Sequence, residues 1–213
     1  MKIVPIPNGA FAENAYLVID EPTRQCAVVD PGQEAGLILH KVEQAGAQAV
    51  AIWLTHAHVD HVLGVAEVAR KTRASVWLHP ADRQLYDAVA EQAAWFDLPA
   101  PEAQPAPDRD LVAGLQLPLG GLSFEVRHAP GHSPGSVCFV GQGVVFSGDV
   151  LFAGSIGRTD LPGGDFETLI ASIERELLSL PDDTIVYSGH GPETTIGRER
   201  RSNPFLTRIS RSA

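Results

Sequence analysis

Three imidazoles and a carboxylate fall within six residues at His56-Ala-His58-Val-Asp60-His61, a density of ligand-type side chains suited to holding metal. The apolar run 49–54 precedes them and reads as a buried β-strand. Ligands leaving the end of a rigid strand have little freedom to drift, which is what a metal site requires. Three further positions repeat the arrangement: His132 follows the strand-like run 122–127, Asp149 follows 144–147, and His190 follows 184–188, each directly behind a glycine. Glycine allows a sharp turn and close approach, so the next side chain can point across the strand ends. Five of the eight histidines belong to this set.

The candidates are therefore His56, His58, Asp60, His61, His132, Asp149 and His190. Four would suffice for one tetrahedral zinc, but a closed structural site favours thiolates. This larger set suits two metals with one shared carboxylate. Nitrogen and oxygen donors fit Zn²⁺ first, with Fe or Mn²⁺ as alternatives, rather than Cu(I). Two cations about 3.5–4 Å apart would trap a water, lower its pKa from about 15.7 toward about 7, and polarise a carbonyl.

The elements that must position these ligands are legible as runs. Extended stretches at 2–6, 14–20 and 25–30 open the chain as a meander, ending in the turn Asp30-Pro-Gly32. Helical patterns follow at 34–45, 62–71 and 81–96, with strands at 49–54 and 75–78. The proline-rich segment 97–110 reads as a loop, and up to three strands are expected between 111 and 148. Asp165 suits the N-cap of a helix over 166–180, the 184–188 strand closes the pattern, and a polar tail begins after about 192. Strands alternating with helices at both ends predict an α/β protein, with one domain spanning 1–213.

Composition narrows the class. A net charge of −10 argues against a nucleic-acid partner, which needs clustered Lys and Arg. No apolar stretch reaches the roughly 20 residues that span a bilayer, and the start lacks a signal-peptide core. The expectation is a cytoplasmic enzyme, monomer or homodimer. Cys26 and Cys138 lie inside apolar runs and read as buried reduced thiols.

The motifs Thr55-His-Ala-His-Val-Asp-His61, Pro130-Gly-His132, Ser147-Gly-Asp149 and Ser188-Gly-His190 resemble the metallo-β-lactamase superfamily signature. Glu13-Asn-Ala-Tyr-Leu-Val18 and Val29-Asp-Pro-Gly32 extend the resemblance over nearly the whole chain. It implies a four-layer αβ/βα sandwich with the metal site at its strand-end edge. It also implies His56, His58 and His132 on one metal, Asp60, His61 and His190 on the other, and Asp149 bridging. In that scheme Asp60 and Asp149 are the catalytic carboxylates.

Within the superfamily, the bridging Asp149 argues against a native β-lactamase, and the acidic charge argues against the nuclease branch. The short glyoxalase II-like hydrolases remain, which cleave small hydroxyacyl thioesters of glutathione with a bridging hydroxide. The chain departs from them in three places. Only about twenty residues follow His190, so a full helical glutathione-binding domain is not expected. Asp160 and Gly191-Pro192 also stand where tyrosines are expected, and Arg158 where a Lys is. Gly157-Arg-Thr-Asp160 also resembles the persulfide dioxygenases, which hold one Fe(II) on residues matching His56, His132 and Asp149. That enzyme, or a lactone or ester hydrolase, is the alternative.

Around the site, Arg158 is a candidate clamp for a substrate carboxylate, or a salt-bridge partner of Asp160 or Asp165. Tyr187 could donate to an oxyanion, though strand alternation favours the core. Asp30 could accept the ring N–H of a ligand histidine. Packing is the expectation for Trp95, Phe96 and Leu98, with an apolar wall as the alternative. Capping or surface roles are expected for His40, His79 and His128. Arg198, Arg200 and Arg201 read as a solvated helix face, with a hold on a glutathione carboxylate as the alternative.

Overall fold

Two six-stranded sheets lie face to face, and period-two alternation along their strands is what lets both faces of each sheet be apolar. The computed structural model describes residues 1–207; the last residues of the polar tail, 208–213, lie outside the described residues. The first sheet runs in chain order: β1 (Lys2–Asn8), β2 (Glu13–Ile19), β3 (Gln25–Val29), β4 (Gln48–Trp53), β5 (Ser75–Leu78) and β6 (Arg109–Asp110). It is antiparallel through β3 and parallel from β3 onward. The second sheet begins with β7 (Gln116–Leu119), β8 (Leu122–His128), β9 (Val137–Gly141) and β10 (Val144–Gly148). A small hairpin follows, β11 (Leu151–Phe152) with β12 (Ser155–Ile156), before β13 (Ile185–Ser188) joins β10 in parallel and β14 (Thr194–Thr195) closes the edge.

On β2, Tyr16 and Val18 point between the sheets, where Trp53 meets Phe124 and Phe139, and Tyr16 meets Phe146. Leu17 and Ile19 point the other way, against α1 (Ala35–Gln44), α3 (Val65–Thr72) and α5 (Val89–Trp95). On the second sheet Cys138, Val145 and Val186 face outward, under α6 (Phe166–Ser172) and Ile196 of α7 (Ile196–Ser202). Helix, sheet, sheet and helix make four layers, the αβ/βα sandwich the motifs imply. The short helices α2 (Val59–Val62) and α4 (Arg83–Asp87) complete the set.

Several expectations change in detail. The single helix expected over 62–71 is interrupted at Gly64, whose N–H donates to Pro31 O at 2.9 Å. A Cβ there would run into the Pro31 and Gly32 carbonyls, so the chain needs glycine for that approach. The helix expected over 81–96 is likewise divided into α4 and α5, and the 97–110 loop ends by pairing β6 with β5. Four strands, not up to three, occupy 116–148; the overlooked β7 is short, sits at a sheet edge and contains Pro118. The tail after 192 carries β14 and α7, capped by Thr195 Oγ1 accepting from Arg198 N at 3.2 Å.

Asp165 caps α6 as expected, its Oδ1 accepting from Thr168 N at 2.8 Å. Cys26 and Cys138 are buried free thiols, and burial pushes the Cys26 thiol up to about 12. Among the described residues no helix is long and apolar enough to cross a membrane.

Candidate metal centre

The ligand-type residues all leave strand ends on one edge of the sandwich: Asp30 after β3, 55–61 after β4, His132 beyond β8, Asp149 after β10, and His190 beyond β13. Gly189 is required there by proximity, because a Cβ would meet Asp149 Oδ1 and the His61 ring. Gly131 adopts a φ of 128° and lies on the backbone of Leu169. Glycine before these ligands thus serves both a turn and a close approach.

Two trios result. His58 Nδ1 and His132 Nε2 are 2.8 Å apart, and His132 Nε2 is 3.2 Å from His56 Nε2. On the other side His190 Nε2 lies 3.2 Å from Asp60 Oδ2, and His61 Nε2 lies 3.8 Å from the same oxygen. Asp149 stands between them: Oδ1 is 3.3 Å from His61 Nε2, and Oδ2 is 3.6 Å from both His132 Nε2 and His190 Nε2. All seven expected residues are therefore gathered in one cluster.

The hydrogen bonds behind the rings fix which nitrogens face inward. His132 Nδ1–H donates to Arg158 O at 2.8 Å, leaving Nε2 with a lone pair. Asp30 accepts from Thr55 N at 2.7 Å and from Thr55 Oγ1 at 2.6 Å, so that hydroxyl accepts from His56 Nδ1 at 3.0 Å. Asp30 Oδ2 also takes His61 Nδ1–H at 3.1 Å. One carboxylate thereby orients a histidine on each side, the role the sequence suggested for it.

The donor set fits cations. Ring nitrogens of three buried imidazoles converge within 2.8–3.2 Å, with no carboxylate in that trio. His61 Nε2 and Asp149 Oδ1 are buried without a hydrogen-bond partner although they lie side by side. Burial, reinforced by the neighbouring rings, holds His56 well below the usual imidazole range and pushes His58 down to about 3. Those nitrogens stay unprotonated and available. Burial also opposes charge on Asp149 and Asp60, yet His61 beside them prevails and holds both carboxyls below their usual range.

Three supporting residues were not visible in the sequence. Buried Asp82 accepts from Ala57 N at 3.0 Å, Ser133 Oγ at 2.7 Å and Gly135 N at 2.5 Å, tying the His56–His58 loop to the His132 loop. Gln92 accepts from Val59 N at 3.1 Å and donates to Ala57 O at 3.0 Å. Glu13 is buried beside His61, held by Asn8 Nδ2 at 2.7 Å, with its other oxygen 3.8 Å from His61 Nδ1. Only Glu13 lay in a quoted motif, and there its side chain carried no assigned role.

A cavity of about 370 Å³ opens onto His58, Asp60, His132, Asp149 and His190. Arg158 lines it but is held by Asp160 through two hydrogen bonds of 2.7 Å, the salt-bridge alternative. Tyr187 does not line it: the ring stacks on Phe146 between the sheets at 5.5 Å, so the oxyanion role is withdrawn in favour of the core. Trp95 and Phe96 do line it, against the expectation of simple packing, whereas Leu98 packs on the core. Arg200 donates to the carbonyls of Leu178 and Leu180 and Arg201 pairs with Asp182, away from the cavity. His79 Nδ1 accepts from Ala81 N at 3.2 Å and stacks on His128 at 4.1 Å, the capping role expected.

A four-layer sandwich with two ligand trios at its strand ends defines a class of metal-dependent enzymes. The sequence matches the metallo-beta-lactamase superfamily over residues 8–190, and the chain belongs to that superfamily as a metal-dependent hydrolase. It is 43% identical to hydroxyacylglutathione hydrolase GloC of Haemophilus influenzae, covering 97% of this chain and 98% of that one. Two solved structures share the fold closely. One is TTHA1623 in a di-iron-bound form, with TM-score 0.88, 46% identity and coverage of 95% and 100%. The other is the B3 metallo-beta-lactamase BLEG-1, with TM-score 0.90, 42% identity and coverage of 97% and 100%.

Proposed function

We propose that this chain is a dinuclear thioester hydrolase of the glyoxalase II type, acting on hydroxyacyl thioesters of glutathione. The observation that carries this is the carboxylate of Asp149 lying within 3.3–3.6 Å of a histidine nitrogen in each trio. His56, His58 and His132 would hold one ion, Asp60, His61 and His190 the second, with Asp149 touching both. Bound there, divalent cations supply Lewis acidity that acidifies water and polarises a carbonyl.

The chain's own groups do the rest. Asp60, partly exposed to the cavity, is placed to take a proton from the attacking water and deliver it onward. Hydrolysis forms a C–O bond, breaks the C–S bond, and sends one water proton to the leaving sulfur. The hydrogen bonds that Thr55 Oγ1, Asp30 Oδ2 and Arg158 O accept from the histidine rings keep those rings from reorienting as charge shifts.

Zinc is the first choice of metal. Iron is the alternative, supported by the di-iron form of TTHA1623. The reading also has one domain, monomeric or dimeric, working in the cytoplasm on a small molecule without nucleic acid or membrane. Similarity to GloC supports the thioester.

The test is hydrolysis of S-D-lactoylglutathione by zinc-reconstituted protein, followed by loss of thioester absorbance, with a chromogenic cephalosporin as comparison. Metal-dependent kcat/KM above about 10⁴ M⁻¹s⁻¹ on the thioester is expected. Turnover of the cephalosporin alone would overturn the assignment.

A further inference from the structure

The cavity in front of the ligands carries an aromatic wall that hydrolysis itself does not use. Gln92 and Trp95 stand three residues apart on α5, the spacing that brings side chains together along a helix, and Phe96 is the residue that ends it. Gln92 is buried and held by Val59 N, Ala57 O and Leu85 O, so the end of α5 is fixed to the loop bearing His58 and Asp60. The two rings are thereby set at a defined place relative to the reacting centre. Phe11, from the turn between β1 and β2, meets Phe96 edge to face at 5.2 Å. All three stay exposed, Trp95 at 61%, in a protein that buries its other large aromatic clusters between the sheets. Contiguous exposed aromatics lining a catalytic cavity are binding surface.

Charge is placed elsewhere. Among the described residues Arg158 is the one guanidinium or ammonium lining the cavity, on the segment that also brings Phe152 and Leu161. A thiol carrier with carboxylates would turn toward that segment, exchanging with Asp160 for the Arg158 guanidinium. The aromatic wall on α5 is left for the other half of a thioester.

We propose that Phe11, Trp95 and Phe96 seat the acyl group, so that the enzyme takes thioesters of aromatic or long apolar acids in preference to small ones such as lactoyl. This rests on the thioester reading above and adds the acyl class to it. Filling an apolar pocket with a ring rather than a methyl gives a preference of about tenfold or more.

The experiment compares kcat/KM for S-D-mandeloylglutathione and S-D-lactoylglutathione in zinc-loaded wild type, Phe96→Ala and Trp95→Ala. Both substituted side chains are exposed, and thermal melts check that each variant folds. A mandeloyl preference of about tenfold or more, falling toward unity in both variants, is expected. Equal rates in the wild type, or a preference the variants keep, would overturn the acyl seat while leaving thioester hydrolysis standing. Turnover of neither would overturn thioester hydrolysis instead. Calorimetric titration with mandelate against lactate would then decide the seat: tighter mandelate binding that Phe96→Ala abolishes supports it, and equal affinities overturn it.

Discussion

His56, His58 and His132 face one another as three imidazoles, whereas across Asp149 the second trio mixes a carboxylate with two histidines. The first trio is buried throughout; in the second, the side chain of His190 is 27% exposed and that of Asp60 17%. Their electrostatics differ as well. Burial and neighbouring rings keep His56 and His58 unprotonated. Burial opposes charge on His61 and His190 too, but Asp149 and Asp60 outweigh it and raise both imidazoles above their usual range. A cation meeting His56 and His58 finds unprotonated nitrogens, while one meeting His61 and His190 competes with protons. Metal on the second, more exposed side should therefore be lost first as pH falls.

Removing the shared carboxylate abolishes the distinction. Asp149→Ala should lower metal content on both sides and reduce activity by more than the roughly 100-fold typical of losing an outer partner. Elemental analysis and kinetics of a folded variant check this; full activity would refute the bridging role. Separating the sides comes next. His190→Ala should leave one ion per chain and very little hydrolysis, while His132→Ala should weaken the buried side. A mild effect of His190→Ala, together with oxygen uptake on glutathione persulfide and Fe(II), would instead support the single-iron dioxygenase.

Asp30→Asn keeps the shape but removes the acceptor that orients a ring on each side, so metal affinity should fall about 10- to 100-fold in chelator competition. Glu13→Gln, which keeps the Asn8 contact, should act in the same sense on the His61 side and less strongly.

The smallest effect lies outside the site. Burial, then the stacked His128, lowers His79 from 6.5 to about 4. The unfolded chain binds the extra proton first, so this group's destabilisation begins as pH falls below 6.5 and is complete below about 4. His79→Gln should slightly flatten the fall of melting temperature across that window, the effect being small because the ring is half exposed. An unchanged slope would exclude this contribution.

The ligands were legible because each sits beside its own strand end, so local pattern and chemistry coincide in a few residues. Asp30 was legible for the same reason. Asp82 and Gln92 were not: they act on backbone atoms of Ala57, Val59 and Gly135, segments far away in the chain, and look locally like any polar helix residue. The order of strands and helices predicted an α/β protein, the motif resemblance the sandwich, and strand alternation the interior place of Tyr187, but none of them β7, where Pro118 interrupts the signal. Trp95 and Phe96 carry the same apolar pattern whether they pack or line a cavity, and the Gln92 contacts that fix them are tertiary.

Titration of metal-free protein with Zn²⁺, following ions bound and S-D-lactoylglutathione hydrolysis together, tests the two-sided centre most directly. The structure predicts two ions per chain, with activity rising mainly through the second equivalent. A plateau of both binding and activity at one equivalent would contradict it.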